Sequence, residues 1–412
     1  YAVWKVFGFV GLHLFFIAVS LTALLIFLAI GRARAGPGLA TLLTIPIIPL
    51  LLERDEIRPE IFSYLFSGIF FWLLLRHRDG ITSWRRLLIL PVVQILWVNL
   101  HIYFFLGPVI IGVFLLERIV LRDKSSTKHL LVVLGLTSLA SLINPFGLNG
   151  ALAPLSIFKN FGYRLAENQP VWFIEKILPN PNFLVFKIVF ALLIASFFAR
   201  LAKNRHGLAL TDTLLALGFS AAGWLAIRNF ALFGLFALPF AAGNLARGFS
   251  IKRQNDQKLG HIAIITLTLV ALATLSGELW KIYPRPLKLG LGLESGNENS
   301  MKFFKENHLA GPIFNNYDIG GYLIFHLWPR ERVFVDNRPE AYPAGFFEKV
   351  YIPMQADEDI WQAKLKEYGF KTIIFSHTDY TPWGQDFLAS RLNDPAWQVV
   401  FKDERVIIFT KK

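Results

Sequence analysis

Six of the eight side chains in Glu53-Arg54-Asp55-Glu56-Ile57-Arg58-Pro59-Glu60 are charged, and the runs on either side, Leu39 to Leu52 and Ile61 to Leu75, carry no charge. An ionised group left in lipid is expensive, so this stretch belongs in water or in a polar cavity at a membrane surface. A carboxylate in a partly dry cleft, such as Asp55 or Glu56, can have its pKa raised and take a proton from a hydroxyl nucleophile. An arginine facing outward beside a bilayer, such as Arg58 or Arg228, can bind phosphate through paired donors. Those two capacities together are what a transferase needs to move a sugar from a lipid phosphate onto an acceptor. A short solvated loop accounts for the same residues without chemistry. The side of the membrane that the stretch faces decides between the two.

Glu60, Asn99, His101, Asn144, Glu175 and Asn229 complete the polar set between apolar runs that could line such a cleft. Each has a plainer explanation. Arg228, between Ile227 and Asn229, could cap two helices by bonding their carbonyl ends. His101 has no second His or carboxylate at ligand spacing beside it, which favours a hydrogen-bonding residue at a helix break over a metal ligand. Asp336, Arg338 and Glu340 could form a surface site, although a turn held by Asp336 and the Pro339 ring explains them as well. The chain has no glycine loop ending in Gly-Lys-Ser/Thr, no His-Glu-x-x-His and no Gly-x-Ser-x-Gly. ATP-driven transport and serine hydrolysis therefore lose ground.

The 412 residues are 54% hydrophobic and include 39 Phe, a composition that fits a polytopic membrane protein and not a soluble globular one. Cysteine is absent, which excludes a disulfide framework and any thiolate nucleophile or metal site. The net charge of +13 is unevenly spread: residues 301–412 hold 14 Lys and Arg against 15 Asp and Glu, leaving 28 basic and 14 acidic residues in the first 300. The excess sits in short connections between apolar runs. That placement suits an orientation signal and argues against nucleic acid as a partner, which would want a basic face on a soluble domain.

Ten apolar runs can be marked, at about 6–30, 38–52, 61–75, 87–99, 103–120, 129–144, 182–201, 209–226, 230–246 and 258–276. Several fall short of the ~20 residues that a straight crossing needs and could borrow flanking residues or be re-entrant. Breaking the stretch 87–120 at Asn99-Leu100-His101 gives two passes, and every basic connection then lies on one face. By the positive-inside rule, Glu53–Glu60, Asn99–His101, Asn144–Pro181, Arg228-Asn229 and the C-terminal part are then expected together on the extracytoplasmic side. The proline-rich stretch 145–181 reads as a long outer loop with one interfacial helix over Ala151 to Phe161, and Glu167 and Glu175 are its only acids.

The expected architecture is an α-helical polytopic membrane bundle of about ten transmembrane helices over residues 1–280, a linker at 281–298 and a C-terminal soluble α/β domain at 299–412. In that domain the patterning predicts helices at Met301–His308 and Gly321–Leu327. It predicts strands at Pro312–Phe314, Val333–Val335, Thr372–Phe375, Trp397–Phe401 and Val406–Phe409, with Asp403-Glu404 in a terminal hairpin turn.

Two blocks carry a family resemblance: Gly311-Pro312-Ile313-Phe314-Asn315-Asn316-Tyr317-Asp318-Ile319-Gly320-Gly321-Tyr322-Leu323, and Val333-Phe334-Val335-Asp336-Asn337-Arg338. With Arg58-Pro59-Glu60, Trp97-Val98-Asn99-Leu100-His101, Asn144-Pro145-Phe146-Gly147 and Arg228-Asn229 in the same order, nearly the whole chain resembles bacterial polytopic proteins grouped with the GT-C glycosyltransferases. That superfamily includes the protein O-mannosyltransferases. The resemblance implies a GT-C-like fold with a further transmembrane helix and an acidic first outer loop upstream of Tyr1, so the chain reads as N-terminally truncated and short of the family's main catalytic acid. It also places Glu53–Glu60 where some members carry a second acidic motif, although Asp55-Glu56 is not the Asp-x-Asp pattern.

The function expected on this reading is transfer of a sugar from a polyprenyl-phosphate donor to an unknown glycan, lipid or protein acceptor. Its setting is the bacterial cytoplasmic membrane, with the C-terminal domain extracytoplasmic. Asp55 or Glu56 would act as base or as ligand to an optional Mg or Mn, Arg58 and Arg228 would hold the lipid phosphate, and Glu60, Asn99, His101, Glu175 and Asn229 would line the cleft. The alternative is a non-catalytic, membrane-anchored scaffold that binds envelope components. A secondary transporter would want charges within the spans or an inverted repeat, and the central parts of the spans are almost free of charge.

Overall fold

A computed structural model describes the chain apart from residues 55, 157–161, 164, 205–206, 283–289, 295, 344, 378 and 380 and the side chains of residues 156 and 280. The chain divides into two compact units, Tyr1–Phe158 with Leu165–Gly292, and Lys159–Arg164 with Leu293–Lys412.

The first unit is a helical bundle organised around Phe230–Gly248. Its sequence, Phe-Ala-Leu-Phe-Gly-Leu-Phe-Ala-Leu-Pro-Phe-Ala-Ala-Gly, is apolar on every face, and every residue from Phe230 to Asn244 is buried. A helix without a polar side belongs at the centre of its fold. Phe27, Phe71, Phe186 and Phe219 pack their rings against Phe230, Phe233 and Phe236 of this helix. Gly234 lets a neighbour come close, since a Cβ there would meet Ile47 Cγ2 and Leu50 Cδ1 at 3.2 Å.

Arg253–Leu275 is the opposite case. Ile264, Ile265, Leu269 and Leu272 are each about 60% exposed, although the helix is as apolar as a core element. A surface of that kind fits lipid and not water. Asp256, near the start of this helix, accepts hydrogen bonds from the amides of Gly38 at 3.1 Å and Leu39 at 2.9 Å. Only glycine suits position 38, because a Cβ would come within 1.8 Å of the Asp256 carbonyl oxygen.

Among the described residues five helices, and not about ten, are long and apolar enough to cross a membrane: Ala2–Ala35, Ile102–Val120, Asn182–Lys203, Ile227–Gly248 and Arg253–Leu275. The other apolar runs fall short for local reasons. The run 38–52 breaks at Ile45-Pro46 into Pro37–Thr44 and Ile47–Leu52, because proline brings no amide to continue the helix. The run 87–99 starts as a 3₁₀ turn and leaves ten residues of α-helix, Ile89–Val98. Leu210–Leu225 has 16 residues, or about 24 Å at ~1.5 Å each, against a ~30 Å hydrocarbon core. Lys124–Ala140 opens on Lys-Ser-Ser-Thr-Lys, and Arg76, His77 and Arg78 dilute the end of Glu60–Arg78. In the loop at 145–181 the described helical pieces are Gly147–Leu152, Val171–Ile174 and short 3₁₀ turns; the interfacial helix expected up to Phe161 runs into residues outside the described set.

Two layers of charge bound this unit. At one, Asp212 accepts from Arg34 and, at 3.4 Å, from Arg78 Nη1; Glu117 Oε2 accepts from the Thr211 amide at 2.9 Å. At the other lies Glu60. Since Glu60 and Arg78 begin and end one helix of 19 residues, the layers stand roughly 27 Å apart at ~1.5 Å per residue. That is close to hydrocarbon thickness.

The C-terminal unit is a small α/β domain with four strands, β1 (Ile313–Asn315), β2 (Thr372–Ser376), β3 (Trp397–Lys402) and β4 (Val406–Lys411), in the order β1-β2-β4-β3. β1 and β2 are parallel, with Ile313 opposite Thr372; β4 runs antiparallel to both β2 and β3. Asp403 closes the β3-β4 turn by accepting from the amides of Arg405 and Val406. Residues Val333–Val335 were expected as a strand. They are instead held beside β1 by the buried Asn315 side chain, which donates to the Val335 carbonyl at 2.8 Å and accepts from the Phe334 amide at 2.9 Å. A side-chain amide takes the place of a backbone ladder there. Patterning did not anticipate the helices Glu358–Tyr368 and Pro382–Leu392, which cover the sheet with Trp361 and Phe387. Tyr163 also belongs to this unit, with its ring 4.3 Å from that of Tyr317 and 5.1 Å from that of Phe347.

Candidate functional site

The Glu60 end of the bundle gathers most of the polar residues singled out above. Pro59 leads into the helix at Glu60, whose carboxylate is buried and sits where the free amides of a helix N-terminus favour negative charge. Arg54 Nε donates to Glu60 Oε2 at 3.1 Å, and Arg54 Nη1 donates to Glu167 Oε2 at 2.6 Å. Arg58 Nη1 donates to both Glu167 oxygens at 3.3 Å, and Arg58 also pairs with Glu56. Glu167 thus ties the charged stretch to the loop at 145–181. Burial alone would raise the Glu167 carboxyl, but the Arg54 guanidinium that bonds it, with Arg58 behind, holds it below the usual glutamate range.

His101, the extended residue before the 3₁₀ turn Ile102–Phe105, lies beside Ser63 of the Glu60 helix. Trp97 Nε1, which can only donate, gives its proton to Ser63 Oγ at 2.8 Å, and Ser63 Oγ lies 2.8 Å from His101 Nδ1. The Tyr103 amide donates to Nδ1 at 3.4 Å, which makes that nitrogen an acceptor, and the serine hydroxyl then gives its own proton to it. Two donors on Nδ1 place the imidazole proton on Nε2. Burial first, and then the positive charges of Arg228 and Arg54, press the imidazole pKa down to about 4, so the ring is neutral at pH 7. His101 is a neutral Nε2–H donor in a field of arginines.

Arg228 lies in the 3₁₀ turn Ile227–Asn229 with its guanidinium 5.2 Å from the centre of the Tyr103 ring. It makes no ion pair with any described carboxylate, yet it is close enough to Glu60, Glu167 and His101 to be coupled to each electrostatically. Its neighbour Asn229 fixes the turn: Oδ1 accepts from the Tyr103 hydroxyl at 2.8 Å and Nδ2 donates to the Ala222 carbonyl at 2.9 Å. Among the described residues, the buried Glu60 Oε1 and Tyr64 hydroxyl make no hydrogen bond of ordinary geometry.

Of the residues read from sequence, Glu56, Arg58, Glu60, His101, Arg228 and Asn229 come together here, and Asp55 lies outside the described residues. Asn99 is spent on structure, donating at 2.8 Å to the Ile95 and Ile143 carbonyls. Glu175 pairs with Lys187. Asp336 accepts from the Arg338 amide at 3.0 Å and from its guanidinium at 2.6 Å, a local turn. Sequence reasoning passed over Arg54, Ser63, Tyr64, Trp97, Tyr103 and Glu167 as site residues. Trp97 stood within a quoted block and Glu167 was noted as one of two acids in its loop. Nothing in the spacing joined either to its partner.

Among the described residues no group of three or more His, Cys, Asp or Glu is placed to hold a metal ion. Glu56, Glu60 and Glu167 are each engaged by a guanidinium, so the described donors do not form a site for Mg or Mn. What the cluster offers is anion binding at Arg228 and His101 beside a buried carboxylate. No family model matches the chain, and no curated protein matches it.

Proposed function

We propose that this chain is a GT-C-like integral membrane glycosyltransferase that takes a sugar from a polyprenyl-phosphate donor and places it on an acceptor at the extracytoplasmic face of a bacterial cytoplasmic membrane. The observation that supports it is Arg228, a half-buried guanidinium without a carboxylate partner among the described residues, beside the neutral His101 donor and the buried Glu60. Arg228 and His101 Nε2–H bind the phosphate oxygens. The acceptor hydroxyl oxygen forms a bond to the anomeric carbon while the bond from that carbon to phosphate breaks. The electron pair leaves with the polyprenyl phosphate, whose charge Arg228 stabilises, and the hydroxyl proton passes to Glu60. Preplaced charge of this kind is commonly the largest contribution to such a barrier.

The test uses the full chain in mixed micelles with polyprenyl phosphate as probe and then a polyprenyl-phosphate sugar as donor. The probe should raise the thermal midpoint of the wild type and leave R228A unmoved, and R228A should transfer sugar about 100-fold or more slowly. Equal stabilisation and equal transfer in R228A would overturn the reading.

A further inference from the structure

We propose that the C-terminal unit carries a binding site for an acidic saccharide, in a cleft of about 510 Å³ lined by Arg330, Glu331, Arg332, Phe334, Tyr368 and Phe370. The cleft lies on the β1 side of the sheet, where the chain that follows Gly320–Leu327 passes beside Ile313. Phe334 and Tyr368 make one wall, with the buried Phe370 packed behind them. Phe334 meets Tyr368 with centroids 5.1 Å apart and Phe370 at 5.2 Å, so the wall is stiff and apolar. Apolar ring faces pack against the C–H faces of a pyranose and lose little entropy in doing so.

The rim is cationic. Arg330 and Arg332 are exposed, and neither forms an ion pair with any described carboxylate. Glu331 between them is tied to the Gly311 amide, whose N–H donates to its Oε2 at 3.0 Å, and its single negative charge leaves the three side chains at a net +1. Two guanidinium groups with free donors beside an aromatic wall match a sugar ring that bears an anionic substituent, since an arginine fork pairs with carboxylate or phosphate by two parallel bonds. The wall reads the ring and the rim reads the charge. This site is built from residues of the other compact unit than the one that holds Arg228, and either assignment can fail without the other.

The experiment titrates the full chain in detergent with hexagalacturonate, with neutral maltohexaose and with inorganic phosphate, at fixed ionic strength. Hexagalacturonate should bind at least tenfold more tightly than maltohexaose. R330Q/R332Q should weaken it at least tenfold, as should Y368A, while R228A leaves it unchanged. Both arginines are exposed, so the double variant should keep the wild-type thermal midpoint, which separates lost binding from lost folding. The proposal is overturned if hexagalacturonate does not bind, if maltohexaose binds equally well, or if R330Q/R332Q has no effect on a folded protein. Phosphate binding as tightly as hexagalacturonate would also overturn it, since the rings would then contribute nothing.

Discussion

Arg54 Nη1 donates to Glu167 Oε2 at 2.6 Å across 113 residues of sequence. This pair fastens the long loop to the charged turn between two apolar segments, and Glu167 is only 20% exposed at the side chain. Replacing the carboxylate by an amide would leave the Arg54 charge short of one partner while keeping the shape of the site. E167Q should cost about 1–3 kcal/mol, measured as a lower thermal midpoint in detergent. The effect should depend on pH in a defined direction. A carboxyl held below its ordinary value near 4.5 adds stability above that pH and loses it as pH falls further. The difference between wild type and E167Q should therefore be full at pH 7 and shrink below about 4.5. A difference that grows on acidification would refute the assignment.

The two donors on Nδ1, the Tyr103 amide and the Ser63 hydroxyl, predict the tautomer of His101. In the wild type, nitrogen NMR of labelled histidine should show the proton on Nε2 and an unprotonated Nδ1, with the ring neutral from pH 7 down towards about 4. W97F removes the donor to Ser63 but leaves the Tyr103 amide on Nδ1, so the Nε2–H tautomer should persist in that variant. Because the folded imidazole has the lower pKa, its contribution to stability is intact above 6.5 and is lost as pH falls from there to about 4. A wild-type ring protonated on Nδ1, or one that titrates near 6.5, would remove His101 from the anion site.

At the opposite charge layer, one carboxylate serves two guanidinium groups. The side chains of Asp212, Arg34 and Arg78 are 6%, 9% and 13% exposed, so D212A would leave two buried cations short of a partner. Such a loss costs about 3–5 kcal/mol, and the thermal midpoint should fall more than for E167Q. Adding R34M to D212A should recover part of it by removing one of the stranded charges. A D212A protein as stable as wild type would show that the network is solvated.

The charged turn, Arg228, His101 and Asn229 were legible because short polar segments stand out in a chain that is 54% hydrophobic. The strands of the C-terminal sheet were legible for a related reason: the run Thr372–Ser376 is apolar enough to be buried along its whole length. The span count was not, because hydropathy measures how apolar a run is and not where its backbone breaks. Pro46 divides one run into two short helices, and 3₁₀ geometry at Trp84–Leu88 shortens another. Val333–Val335 misled for a different reason. Its residues suit a strand, but the Asn315 side chain supplies the bonds that a ladder would have made.

Composition and order along the chain determined that apolar helices and a small α/β unit would form, since burial of apolar surface and secondary-structure periodicity are local properties of the sequence. Which carboxylate meets which arginine was decided by tertiary structure alone. Arg54 serves both Glu60 and Glu167, Arg34 and Arg78 share Asp212, and Arg228 is left without a described carboxylate. Ion pairing depends on distance in space and on local burial, and neither quantity can be read along the chain.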